Sequence, residues 1–300
     1  TKGFFGRLYL YQAYCWHALI LQDFRMYYRY AQKWVDLFSD EPHMYRVETL
    51  FYVKGLHNLL LAHFMLRNHR KYDETLALFE AFSNTDESNA NDNTRVQTFV
   101  YLAIARINGH FLKGTFTEGL YLVSGIEEKL TQFNLLIDHH RTLVLYYKIA
   151  SLYFGAGDAE KAIEYLNRII HWKVNLRSDL QCYARLLHLI AHYELGNFDI
   201  LEHLIKSVYR FMAQMETLSV VEEEIFRFLR KAFQLNSHAR LRSAFVILKE
   251  KLEKLQESPF ESRSFMYLDI IAWLESKIAG IPIQEVIRKR ESGLAEGGKR

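Results

Sequence analysis

Residues 152–166 read LYFGAGDAEKAIEYL, and this stretch indicates how the rest of the chain folds. Apolar residues lie at helical spacing on both sides of Gly157-Asp158. A glycine is typical of a helix end, and an aspartate directly after it is typical of the start of the next helix. The stretch therefore predicts two amphipathic helices joined by a tight turn.

The same helical pattern extends over almost the whole chain. Apolar residues recur at i, i+3, i+4 and i+7, and one such stripe ends at Gly196-Asn197 after passing through Leu176, Leu180, Tyr183, Leu187, Ile190 and Leu195. The three prolines, Pro42, Pro259 and Pro282, fall between the periodic stretches, where they do not interrupt a helix. The sequence predicts an all-α protein.

Composition excludes several classes of protein. Of the 300 residues, 50% are hydrophobic and only 3 are prolines, which excludes a disordered or collagen-like chain. The net charge of +3 gives no strong overall attraction to nucleic acid or membrane. No run reaches the ~18 uninterrupted apolar residues that a membrane span needs. We therefore expect no membrane association and look for partner binding in local features.

A repeated unit surrounds the Gly157-Asp158 turn. The residues that fit its pattern are Tyr146, Ile149, Ala150, Tyr153, Gly157, Asp158, Ala162 and Leu166. On these positions the unit resembles the tetratricopeptide repeat. A second copy covers 193–202, and weaker ones place turns near 22, 70, 114 and 239. The spacings of 48, 44, 43, 39 and 43 residues between turns exceed the ~34 of the standard repeat.

The resemblance, which extends to uncharacterised bacterial tetratricopeptide proteins, implies a fold and a domain organisation. It implies a right-handed α-solenoid of about six degenerate helix pairs over 1–257, with a concave groove lined mainly by the first helix of each pair. A C-terminal pair of capping helices would follow over 258–290, and a flexible tail over 291–300. The capping face consists of Phe265, Leu268, Ile271, Ala272 and Leu274.

The usual groove positions of the tetratricopeptide family give a set of candidate partner-binding residues. They are Trp16, Arg67, Asn108, Tyr147, Lys148, Tyr193 and Arg230. Cations and aromatic rings in a groove suit an extended peptide, because Arg and Lys bind carboxylates and Tyr and Trp cover apolar side chains. Asn108 and Lys148 fit part of the family's carboxylate clamp, but Ile104 does not, so a chaperone-type C-terminal tail is not predicted as the ligand.

Catalytic and metal-binding patterns are weak. His188 and His192 lie four residues apart on one helix face, but they fall at positions that face a partner helix, so we interpret them as packing residues. Cys15 and Cys182 lie in apolar runs, which indicates buried thiols in a reducing compartment. Residues 293–300 have the glycine and lysine spacing of a phosphate loop but no preceding strand. We expect no catalytic residue, metal or cofactor.

One stretch is distinctly basic. Residues 225–256 carry eight basic and two acidic side chains, a balance of +6. Nucleic acid is one interpretation of this stretch. The other is a solvated helix face, because the charges are paired along the helix and Phe226, Phe228, Phe233 and Phe245 are at core spacing. Just before it, Glu222, Glu223 and Glu224 suit the first turns of a helix that begins near Ser219.

We therefore expect a non-catalytic cytoplasmic scaffold that binds a protein or peptide segment in its groove. An alternative is the ligand- or peptide-sensing part of a larger regulator with its effector domain upstream, because the chain begins without methionine and with an uncapped apolar helix. Nucleic-acid binding through 225–256 is a third hypothesis.

Overall fold

The computed structural model describes residues 3–172, 177–214, 219–232, 238–256 and 269–297. These residues form helices and turns without a β-strand, which confirms the all-α prediction for the described part of the chain. A short 3₁₀-helix covers Glu87–Asn89. The α-helices are α1 Phe4–Leu21, α2 Phe24–Asp40, α3 Met44–Val47, α4 Thr49–Met65, α5 His69–Ser83, α6 Asp92–Lys113, α7 Phe116–Gly119, α8 Leu122–Gln132, α9 His139–Gly155, α10 Ala159–Ile170, α11 Ser178–Glu194, α12 Phe198–Gln214, α13 Val220–Ala232, α14 His238–Gln256, α15 Ile270–Ala279 and α16 Ile283–Gly297.

The chain divides into two compact units. Unit one consists of Thr1–Leu112 and Tyr121–Arg141, and unit two consists of Lys113–Leu120 and Thr142–Arg300. Unit one therefore holds α1 to α5, nearly all of α6, and α8. Unit two holds α7, most of α9, and α10 to α16.

One turn geometry recurs between helices of both units. A residue in the left-handed conformation ends the first helix, and the N–H of the next residue donates to the carbonyl five residues back. The left-handed residues are Gln22, Arg67, Gly157 and Gly196, and the four backbone hydrogen bonds measure 2.9–3.1 Å. Asp23, Asn68 and Asp158 then cap the second helix, each accepting the N–H three residues ahead.

The turns predicted at 22, 157 and 196 are confirmed, and Gly114 also has a positive φ. Two predicted turns are shifted. The one assigned to 70 lies at Arg67, because Asn68 caps the helix by accepting from Lys71 and so starts α5 earlier. Residue 239, also assigned to a turn, lies in the first turn of α14.

Unit one has an aromatic core. Helices α1, α2, α4 and α5 pack in chain order, and ring centroids of Phe38, Tyr45, Tyr52 and Phe82 lie 4.6–6.3 Å apart. The hydroxyl of Tyr72 on α5 donates to the carbonyl of Ala105 on α6 at 2.6 Å. Consecutive helices of this unit are thus joined by large side chains.

In unit two, helices α10 to α16 also pack in chain order. Tyr153 of α9 stacks on Tyr165 of α10 at 5.6 Å between ring centroids. The final helix departs from that order, because α16 also contacts residues 113–120. Thr117 Oγ1 donates to Gln284 Oε1 at 3.0 Å, and Arg288 pairs with Glu118 at 2.7 Å.

The predicted capping helices can be compared with the structure only in part. Ile271, Ala272 and Leu274 of the predicted capping face are buried, while Phe265 and Leu268 lie outside the described residues, as do Leu176 and Phe233. Helix α16 continues to Gly297, past residue 291, where the sequence predicted a flexible tail.

Candidate functional site

Helix α13 begins with a capping box. The hydroxyl of Ser219 accepts the N–H of Glu222 at 3.2 Å, and the carboxylate of Glu222 accepts the N–H of Ser219 at 2.8 Å. The helix thus begins where the sequence predicted, and Glu222 takes part in its first turn. The capping box fixes where α13 begins and so which of its side chains face α14.

A cleft of about 530 Å³ lies between α13 and α14. Residues spaced by three and four positions on each helix share one face and line it. From α13 these are Glu224, Arg227, Phe228, Lys231 and Ala232, and from α14 they are Ala239, Arg240, Ser243, Ala244, Ile247, Leu248 and Lys251.

The floor of the cleft is apolar and firmly supported. Phe228, Ala232 and Leu248 are buried, whereas Ile247 leaves about half of its surface exposed. Beneath the floor, the Phe228 ring lies 4.9 Å from Phe245, which lies 5.6 Å from Trp273 of α15. Because these rings pack from several helices, the floor is fixed before a ligand arrives.

The rim of the cleft is basic. Glu224 is the one carboxylate among the lining residues, and it pairs with Arg227 and, at 3.0 Å, with Lys251. Lys231 and Arg240 are exposed and form no ion pair with a described residue. The rim therefore keeps two positive charges available to an acidic ligand.

A second, smaller groove of about 450 Å³ adjoins the cleft on the other side of α13. It is lined by Tyr209 of α12 and by Glu223, Phe226, Arg227, Arg230 and Lys231. Arg227 and Lys231 border both the groove and the cleft. A bound segment could extend from one into the other across the exposed face of α13.

The seven candidate residues are distributed over both units. In unit one, Trp16 is exposed on α1, Arg67 is exposed at the α4–α5 turn, and Asn108 is buried in α6. In unit two, Tyr147 is buried in α9, and Lys148 is half-buried beside it. Burial lowers the pKa of the Lys148 ammonium to about 8.

Two of the candidates are corrected by their burial. Asn108 is 4% exposed and Tyr147 is 2% exposed, so neither presents a surface to a partner. The spacing of residues along one helix does not show which of them the rest of the fold covers.

Tyr193 and Arg230 line two different clefts. Tyr193 borders a cleft formed by α11, α12, α14 and α15, and its ring centroid lies 6.2 Å from that of Trp273 and 6.4 Å from that of Phe245. Burial raises the pKa of its hydroxyl to about 12. Arg230 lines the groove between α12 and α13. None of the seven candidates lines the α13–α14 cleft itself, but Arg230 lines the groove that adjoins it.

The sequence contained a signal for this cleft. The basic stretch 225–256 includes Arg227, Lys231, Arg240 and Lys251, which line it. Paired charges were expected along the helix, and Lys249 does pair with Glu253 at 3.2 Å. The sequence did not reveal the apolar floor, because Phe228 and Ile247 lie on different helices and come together only when α13 packs on α14.

The histidine pair and the thiols behave as packing groups. His192 Nε2 lies 3.3 Å from His188 Nε2, and Asn197 Nδ2 lies 3.0 Å from His192 Nδ1. Cys15 and Cys182 are buried, and burial raises the pKa of the Cys15 thiol to about 12. Within the described ranges no three His, Cys, Asp or Glu side chains cluster as metal ligands.

Comparison with known proteins adds no identification. The chain matches no protein-family model, and no curated protein is significantly similar to it. Over the part of the chain that the structure describes, no helix combines the length and the apolar character of a membrane span.

Proposed function

We propose that this protein is a non-catalytic scaffold that binds an acidic peptide segment in the cleft between α13 and α14. The observation that supports the proposal is the combination of an apolar floor with a rim that keeps Lys231 and Arg240 unpaired among the described residues. Carboxylates of a ligand would lie at the rim while one large apolar side chain packs against Ile247 and Phe228.

The proposal extends to the repeat organisation and the location. The recurring turn at Gln22, Arg67, Gly157 and Gly196 is what degenerate tetratricopeptide-like hairpins of a right-handed α-solenoid would share, and such scaffolds bind partners without chemistry of their own. Buried thiols agree with a reducing compartment, so we place the protein in the cytoplasm.

A peptide fits the cleft better than nucleic acid does. Single-stranded nucleic acid is bound by exposed aromatic rings on which bases stack. Phe226, Phe228 and Phe245, the described aromatic residues of the basic stretch, are buried in packing between helices. The cleft instead offers aliphatic surface and separated cations, which suit an acidic and apolar peptide.

The test uses the full 300-residue chain and a fluorescent 12-residue peptide in which glutamates flank a central Leu-Phe pair. Anisotropy should show binding that weakens with salt, because the charges on the rim are exposed. Lys231→Glu combined with Arg240→Glu should weaken binding at least tenfold, and Ile247→Asp should weaken it as well. The matched control reverses Lys254 and Lys289, which are exposed and do not line the cleft.

Unchanged binding in the Lys231/Arg240 variant would refute the assignment of the cleft. Equal binding of a peptide with lysines in place of the glutamates would refute the acidic ligand. A single-stranded oligonucleotide that binds more tightly than the peptide, and loses affinity in the same variant, would favour the nucleic-acid hypothesis instead.

A further inference from the structure

Helix α1 has an apolar face that stays largely exposed, although Tyr9 lies 6.0 Å from the ring of Phe51 on α4. Phe5, Tyr9, Trp16 and Ile20 are 44, 54, 67 and 80% exposed. Their spacings of four, seven and four residues place all four on one side of the helix. Leu10, Tyr14 and Leu21 are also exposed, but they lie on a separate side of the helix and are not part of this stripe. Monomeric proteins rarely expose so many large apolar side chains together.

The opposite side of α1 is well packed. Phe4, Leu8, Cys15 and Ala18 are buried, and the Phe4 ring lies 5.2 Å from Phe38 of α2. Helix α1 is therefore packed in the core of unit one, and its stripe is exposed in spite of that packing. It is a second apolar face on a helix whose first face is already in the core of unit one.

The exposed face carries almost no charge. Helix α1 contains no acidic residue, and its one arginine, Arg7, pairs with Glu41 at 2.5 Å. A charged partner would find no complementary group on the stripe. The matching surface is an apolar helix face without charge, and a second copy of α1 offers one.

The stripe is self-complementary under a two-fold axis. Residues 5 and 20 lie equally far from the centre between residues 12 and 13, and so do residues 9 and 16. In an antiparallel pair, Phe5 therefore faces Ile20 of the second copy, and Tyr9 faces Trp16. The small, exposed Ala13 lies at the crossing point, where its short side chain allows the two helices to approach each other.

The size of the face is at the lower end for a specific dimer. With about 150–250 Å² for each fully exposed large side chain, the four stripe residues expose roughly 500 Å² on each copy. Two copies would together bury roughly 1,000 Å², about the least that a specific interface needs.

We propose that two copies of this chain associate through antiparallel packing of their α1 helices, with the two-fold axis beside Gln12 and Ala13. This inference is independent of the peptide cleft in unit two. The dimer would bury the Trp16 and Ile20 side chains, and it would use no residue that lines the α13–α14 cleft.

The first test is the mass of the 300-residue chain in solution. Sedimentation equilibrium should give a dimer, and Trp16→Glu combined with Ile20→Glu should shift the dissociation constant at least a hundredfold toward monomer. Leu135 and Tyr121 are exposed apolar residues elsewhere in unit one, so their change to Glu is the matched control. Far-ultraviolet circular dichroism should be the same for all variants. A monomer at every concentration, or a dimer that the Trp16/Ile20 variant does not weaken, would overturn the proposal.

The second test determines the direction of pairing. Ala13→Cys should form a disulfide-linked dimer under mild oxidation, because the two copies of residue 13 lie beside the axis. Phe5→Cys alone should not, because its two copies would be about 22 Å apart along the antiparallel pair. The native thiols are buried and give little background. Cross-linking through residue 5 but not residue 13 would contradict antiparallel pairing.

Discussion

Gly155 is the last residue of α9, and the space beside its Cα is filled by the ring of Phe116. A Cβ at this position would overlap the ring atoms, so the glycine is required by close packing rather than by its backbone angles. Phe116 is itself nearly buried, which leaves the ring little room to move. The contact joins residues 113–120 to the rest of unit two.

We predict that Gly155→Ala destabilises the protein by about 1–3 kcal/mol, the usual range for an overpacked core position. Urea unfolding followed by circular dichroism measures the change. The same substitution at Gly125, inside α8, is the control, because nothing lies within 4 Å of a Cβ there. Gly125→Ala should stabilise the helix by about 0.5–1 kcal/mol. Equal effects at the two positions would show that Phe116 does not occupy the space.

At the scale of elements, Glu194 connects α11 to α15. Its carboxylate accepts the indole N–H of Trp273 at 2.7 Å and pairs with Lys277. Trp273 is buried, so its N–H depends on this acceptor. The pair of contacts holds α15 under the aromatic residues that support the α13–α14 cleft.

We expect Glu194→Ala to cost about 2–3 kcal/mol, because it leaves a buried donor unsatisfied as well as removing the ion pair. Glu194→Gln keeps an acceptor for the indole and should cost about 1 kcal/mol. Urea unfolding of both variants separates the two contributions, and Trp273 fluorescence should shift more in the alanine variant. A glutamine variant as unstable as the alanine variant would mean that the charge, not the acceptor, holds α15.

At the scale of the whole molecule, each unit contains a buried histidine with a lowered pKa. Burial is the main cause for both, and it brings the pKa of His63 in unit one and of His188 in unit two to about 4. Lys71 adds to the effect at His63, while Glu74 opposes it. Both nitrogens of His63 lack a hydrogen-bond partner among the described residues.

These histidines should make the protein less stable in mild acid. The unfolded chain binds protons near pH 6.5, but the folded chain does not bind them at these sites until about pH 4, so unfolding is favoured as the pH falls through this interval. Each histidine contributes about 1.4 kcal/mol per pH unit at most. His63→Leu should flatten the dependence of the urea midpoint on pH between 7 and 5. His203→Leu, at an exposed position on α12, is the control and should leave the dependence as it was.

The sequence predicted local features better than distant contacts. The turns at Gln22, Gly157 and Gly196 were predictable because a left-handed residue followed by Asp or Asn is a property of adjacent residues. The burial of Asn108 and Tyr147 depends on which helix packs against each of them. The contact between Glu118 and Arg288 joins residues that no spacing rule relates. For the same reason the charges of the α13–α14 cleft were visible in the sequence, but its floor was not.

The assignment of Lys113–Leu120 to unit two limits how the chain can be divided into recombinant fragments. The chain passes from unit one to unit two, back again, and then to unit two once more. A recombinant fragment that stops at residue 141 carries Phe116 without Gly155, and Thr117 and Glu118 without their partners on α16. A fragment that begins at residue 142 lacks Phe116, so the space beside the Cα of Gly155 is left unfilled. Any continuous fragment that holds all of one unit therefore also carries a segment of the other, because residues 1–141 include Lys113–Leu120 and residues 113–300 include Tyr121–Arg141.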